Sequence, residues 1–96
     1  MICHVVLYAM KPGTTERDEA RLVEQARQKI PLVPGVKNFR AGRSLEGGTC
    51  AVALVMEFEN AAALDAYRVD PDHQRFVKEV AGPVVSDTLR FDFRSD

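Results

Sequence analysis

A chain of 96 residues has room for one domain and not two, and a domain of that size keeps a thin core. Its composition is globular, 46% hydrophobic and 28% charged, and 13 basic against 14 acidic residues leave a net charge of −1. That balance excludes a global field that recruits nucleic acid or membrane, and no apolar run is long enough to span a bilayer.

The opening "MICHVVLYAM" has no basic n-region and no A-x-A cleavage site. It reads as a strand from Ile2 to Met10 and not as a signal peptide, so a cytoplasmic location is the expectation. Both alternating faces are mostly apolar: Cys3, Val5, Leu7 and Ala9 on one, Ile2, His4, Val6, Tyr8 and Met10 on the other. Such a strand must be covered on both sides. "KPGTT" breaks the pattern, and Thr15 with Asp18 forms a capping box for a helix running to about Ile30. Ala20, Val23, Ala26 and Ile30 give that helix its apolar spacing. Val36 to Ser44 predicts a second, less apolar strand near a sheet edge, and "LEGG" is turn chemistry. Cys50 to Glu59 predicts a central strand, with Val52, Leu54, Met56 and Phe58 against Ala51, Ala53 and Val55. Asn60 suits the N-cap of a short helix "AAALDAY". Asp70 and Pro71 restart the helix, since Asp caps and Pro needs no partner for an N–H at the first position. Phe76, Val77 and Val80 are its buried stripe, and Gly82-Pro83 stops it, with Gly82 expected in the left-handed conformation. Thr88 to Phe93 is the last strand, with Leu89, Phe91 and Phe93 inward and Thr88, Arg90 and Asp92 outward.

The order β-α-β-β-α-β predicts an α+β, ferredoxin-like domain over residues 1–96. Its four-stranded antiparallel sheet carries both helices on one face, the second helix kinked. The other face is apolar as well, and a second copy is its simplest cover. A homodimer with sheets face to face, a dimeric α+β barrel, is therefore expected.

Few residues can carry chemistry. The uniformly apolar Cys3/Val5/Leu7/Ala9 face suits packing on the helices, which leaves His4 and Tyr8 on the face toward the inter-subunit space. In "YRVDPDH", Tyr67 ends one helical piece and His73 is the third residue of the next. The positive end of a helix dipole favours neutral imidazole, and neutral imidazole is a general base near pH 7. The structural alternatives are plain. His4 and Tyr8 can be core residues satisfied by one hydrogen bond each, His73 can cap its own helix or lie in water, and Tyr67 can pack beside Leu64. Cys3 and Cys50 lack C-x-x-C spacing and read as small hydrophobes. There is no nucleotide loop, nucleophile elbow, metal-ligand set or aromatic–basic RNA platform, so no cofactor, metal or nucleic-acid partner is expected.

The segments "MICHVVLYAMKPG", "VPGVKNFRAGRS", "ALVMEFENAAALDAY", "DPDHQRFVKEV" and "FDF" together resemble the stress-responsive A/B barrel domain, the dimeric alpha/beta-barrel or Dabb family, over nearly the whole chain. The resemblance implies a ferredoxin-like protomer that pairs sheet to sheet. It also implies candidate site residues. One branch includes a plant polyketide cyclase that works without cofactor and uses a Tyr and a His where this chain has Tyr67 and His73. Where the family often reads His-Pro-x-His, this chain reads Asp70-Pro71-Asp72-His73, losing one pocket partner and gaining a better helix cap. The wider barrel group includes monooxygenases and heme-degrading enzymes that often place a Trp in the pocket, and this chain has none. Two functions follow as expectations. One is a cofactor-independent acid–base enzyme of cyclase, isomerase or lyase type on a small apolar carbonyl compound, with His73 as base, Tyr67 as donor to the carbonyl oxygen, and His4 and Tyr8 lining the substrate pocket. The other is a non-catalytic, stress-responsive or ligand-binding dimer.

Overall fold

A computed structural model describes residues 1–95. The first strand, β1, runs Ile2–Met10, and helix α1 runs Glu16–Lys29, followed by a 3₁₀ turn Ile30–Leu32. Strands β2 (Lys37–Arg43) and β3 (Val52–Phe58) come next. Helices α2 (Ala61–Val69) and α3 (Pro71–Phe76), a π-helical turn Val77–Ala81 and strand β4 (Val85–Arg94) complete the fold. The sheet order is β2-β3-β1-β4 with every neighbouring pair antiparallel, the ferredoxin-like arrangement.

Local chemistry sets the helix boundaries. Thr15 accepts from the Asp18 amide while the Asp18 carboxylate accepts from the Thr15 amide, so two orphan donors of α1 are satisfied reciprocally. Leu22, Val23, Ala26 and Ile30 form the buried stripe, with Leu22 in place of the expected Ala20, which is exposed. Asn60 caps α2 by accepting from the Ala63 amide at 2.9 Å. Asp70 caps α3 twice, accepting from Asp72 at 2.8 Å and His73 at 3.1 Å, with Pro71 in the first turn.

The core fills the gap between the helices and one face of the sheet. Val52, Leu54, Met56 and Phe58 of β3 are all 1% exposed or less. Register then dictates what β1 contributes, because directly opposed residues share a face. His4 pairs with Met56, Val6 with Leu54 and Tyr8 with Val52. His4, Val6 and Tyr8 therefore face the helices and are buried, while Val5, Leu7 and Ala9 lie half-buried on the open face. This reverses the face assignment expected from apolarity alone. That criterion fails because both faces of β1 are mostly apolar, and only the partner strand distinguishes them.

The same register corrects β4. Phe93, Phe91 and Leu89 oppose Cys3, Val5 and Leu7, so they stand on the open face and are 44%, 66% and 53% exposed. Thr88, Arg90 and Asp92, expected outward, oppose Tyr8, Val6 and His4 on the helix side. Gly82 is also corrected: its φ is −51°, right-handed. Its amide donates to the Val77 carbonyl at 2.8 Å, closing the wide turn, and a Cβ there would lie 3.0 Å from the Lys78 carbonyl oxygen. Glycine eases the close backbone approach here and is not needed for handedness.

Candidate active site

Between the helix-side face of β1 and β4 and the elbow of α2, α3 and the π turn lies a cleft of about 580 Å³. His4, Tyr8, Tyr67 and His73 all line it, together with Val6, Leu54, Arg68, Val77, Thr88 and Arg90. It is a helix–sheet cleft, so His4 and Tyr8 do not point into an inter-subunit space as expected; the reversed strand faces carry them to the helix side.

The Asp70–Pro71 restart fixes the relation of Tyr67 to His73. Their rings stack with centroids 4.0 Å apart and planes inclined by 29°. Tyr67 in turn packs on Phe58 at 5.1 Å and meets His4 edge-on at 6.0 Å. The Nδ1 atom of His73 is buried without a hydrogen-bond partner. The nearby backbone carbonyls of Tyr67 and Arg68 already accept from the Asp70 amide and the Gln74 side chain. Burial is the main force pushing the His73 pKa below its ordinary value, with a smaller contribution from the charge of His4. The carbonyls of Arg68 and Tyr67 and the carboxylate of Asp70 oppose it. The net effect favours the neutral imidazole.

Burial acts in the opposite sense on the phenols. Tyr8 is pushed up to about 12, with the Arg90 cation moderating the rise. Tyr67 is raised strongly, first by burial, then by the neighbouring Tyr8 and by Asp70. Both hydroxyls therefore stay protonated and can donate. The cleft thus presents two neutral phenol donors beside a neutral imidazole, the complement of an acid–base reaction that builds negative charge on oxygen.

His4 has partners that the chain alone did not disclose. Its Nδ1 bonds the Asp92 carboxylate, whose second oxygen accepts from Arg68 at 2.7 Å. Arg68 also reaches Asp65 at 3.2 Å. A carboxylate on Nδ1 fixes the ring orientation and leaves Nε2 as the free face of the imidazole. The usable signal was the Asp between two phenylalanines in "FDF": alternation sets Asp92 opposite to Phe91 and Phe93, and only register sets it beside His4. Among the described residues no group of three His, Cys, Asp or Glu side chains is arranged to hold a metal ion, and no helix is long and apolar enough to cross a membrane.

The family model of the stress responsive A/B barrel domain, Dabb, matches residues 2–95. The chain belongs to the Dabb family. A Dabb protein with a ferredoxin-like fold from Mesorhizobium loti is 27% identical and superposes with a TM-score of 0.84, over 99% of this chain and 96% of the other. A dimeric ferredoxin-like protein of unknown function from Thermobifida fusca is 21% identical with a TM-score of 0.85, covering 98% of this chain and 90% of the other. The hydroxynitrile lyase of Passiflora edulis is 15% identical with a TM-score of 0.80, covering 99% and 93%. At those last two identities the likeness is one of fold. A search of curated proteins finds no match. The ferredoxin-like architecture of this Dabb chain is thus shared by its structural relatives.

Proposed function

We propose that this Dabb protein is a homodimer whose helix–sheet cleft carries out acid–base chemistry, without a cofactor, on a small carbonyl compound. The observation that carries the reading is the His73 imidazole stacked on Tyr67 at 4.0 Å in the wall of the cleft, where burial pushes its pKa down. His73 takes a proton from the carbon next to the carbonyl. As enolate charge develops, the Tyr67 hydroxyl donates to the oxygen, an oriented donor worth ~3 kcal/mol. Tyr8 and His4 shape and polarise the pocket. Cyclisation and isomerisation share this first step, and the hydroxynitrile lyase on the same fold supports a small-molecule enzyme, though not this particular step.

The test needs no knowledge of the natural substrate. Exchange of hydrogens next to the carbonyl in a panel of small ketones is followed in deuterated water by NMR. The wild type is expected to accelerate exchange in at least one of them. His73→Ala is expected to lose about two orders of magnitude with its fold intact. Tyr67→Phe keeps the ring and removes only the donor, so a loss there isolates the oxyanion role. Exchange unaltered in His73→Ala overturns the assignment.

The dimer rests on the open face of the sheet, where Leu7 faces Leu89 and Val5 stands between Val55 and Phe91. A contiguous apolar surface of this kind marks an interface, and the Thermobifida relative is described as dimeric.

A further inference from the structure

The charged groups around the cleft are unequally matched. Arg68 is engaged with Asp92 and Asp65. Arg90 has no carboxylate of a described residue within ion-pair distance, yet it lines the same cleft. Its position in β4 is opposite Val6, between Thr88 opposite Tyr8 and Asp92 opposite His4. With a strand rise near 3.3 Å, its backbone stands about 7 Å from each of those two neighbours on the same face. Its charge reaches the Tyr8 phenol, whose ionised form it favours. Two carboxylates are near: Asp92, on the same face, is taken by His4 and Arg68, and Asp87, which also lines the cleft, has the opposite parity along β4 and accepts from the Thr88 amide at 2.9 Å.

We infer that Arg90 makes the cleft an anion receptor, and that its ligand is a small carbonyl compound bearing a carboxylate. The guanidinium holds the carboxylate through paired, charge-assisted hydrogen bonds while the carbonyl oxygen is directed to Tyr67. The carbonyl half of this inference rests on the acid–base reading above; the carboxylate half stands on Arg90 alone. Arg90 is exposed, so a wholly apolar substrate would gain nothing from its permanently charged fork, whereas a carboxylate would pair with it.

The experiment titrates the protein with pyruvate, levulinate and benzoylformate and with the methyl ester of each, following amide and imidazole resonances by NMR. Each acid is expected to bind roughly tenfold or more tightly than its ester, the advantage shrinking as salt is raised. Arg90→Gln is expected to erase that advantage with an unchanged melting temperature. His73→Ala is expected to keep it, because anion capture requires no base. Absence of exchange activity in the wild type, with the acid preference present, would therefore count against the catalytic reading only. Equal binding of acids and esters by the wild type overturns the inference. So does a preference that survives Arg90→Gln, or no saturable binding of any of the acids at tens of millimolar (a range on the order of the weakest specific complexes). A change in sedimenting mass on Arg90→Gln assigns the residue to subunit packing and overturns it as well.

Discussion

At the scale of single residues, His73 is defined by what surrounds it. Its pKa lies below the ordinary 6.5 because half-burial disfavours the cation. The sign follows by linkage. As pH falls below about 6.5 the unfolded chain takes up the proton before the folded one, so stability declines through that window. The decline levels off once the folded imidazole is protonated too. Imidazole resonances of His73 are expected to titrate below pH 6.5, and His73→Ala is expected to flatten the acid side of the stability profile. A His73 midpoint at or above the ordinary value would refute the burial argument. The roles of Tyr67 and His73 could be suggested from the chain because Pro71 and Asp70 are local signals, strong enough to place a helix start within a residue. Asp92 and Arg90 could not be placed on the helix side. Each is a charged residue in an alternating strand, and alternation tells two faces apart without telling which one meets the helices.

At the scale of elements, the elbow between α2 and α3 positions the site. One carboxylate, that of Asp70, accepts both amides that begin α3. Asp70→Ala is expected to cost about 1 kcal/mol of stability and to loosen the Tyr67–His73 stack, whereas Asp70→Asn retains a cap and most of that stability. Chemical denaturation of the two variants checks this, and equal stabilities would show that Pro71 alone fixes the turn. The helices and strands were readable in the chain because caps and apolar spacing agree with each other. The π turn was not. Nothing in "VKEVAG" departs from an ordinary amphipathic helix, and the wide turn arises where Gly82 allows its amide to reach back to Val77.

At the scale of the whole molecule, β1 separates two surfaces. Its helix-side residues line the cleft and its other face is the apolar seam. Sedimentation is expected to give a mass near twice the 10.7 kDa of the chain. Val55→Asp is expected to lower it, because Val55 opposes Val5 on the open face and an unpaired carboxylate there resists burial. A wild-type monomer at micromolar concentration, or an undisturbed dimer in Val55→Asp, would remove the seam as an interface. The two-sided apolarity that pointed to a covering partner is the same property that hid which side was which.

The pairing of β4 with β1 also bears on folding fidelity. β4 is an edge strand, held in the sheet by one neighbour. Slipping it by a single residue would carry Arg90 and Asp92 from the helix side to the apolar open face and turn Phe91 and Phe93 inward. The misregistered chain would forfeit the partner of His4 and present two charges where apolar residues belong. On the proposed function, one error would disable site and assembly at once. Such molecules should accumulate together as inactive monomers, separable by size from correctly zipped protein after refolding.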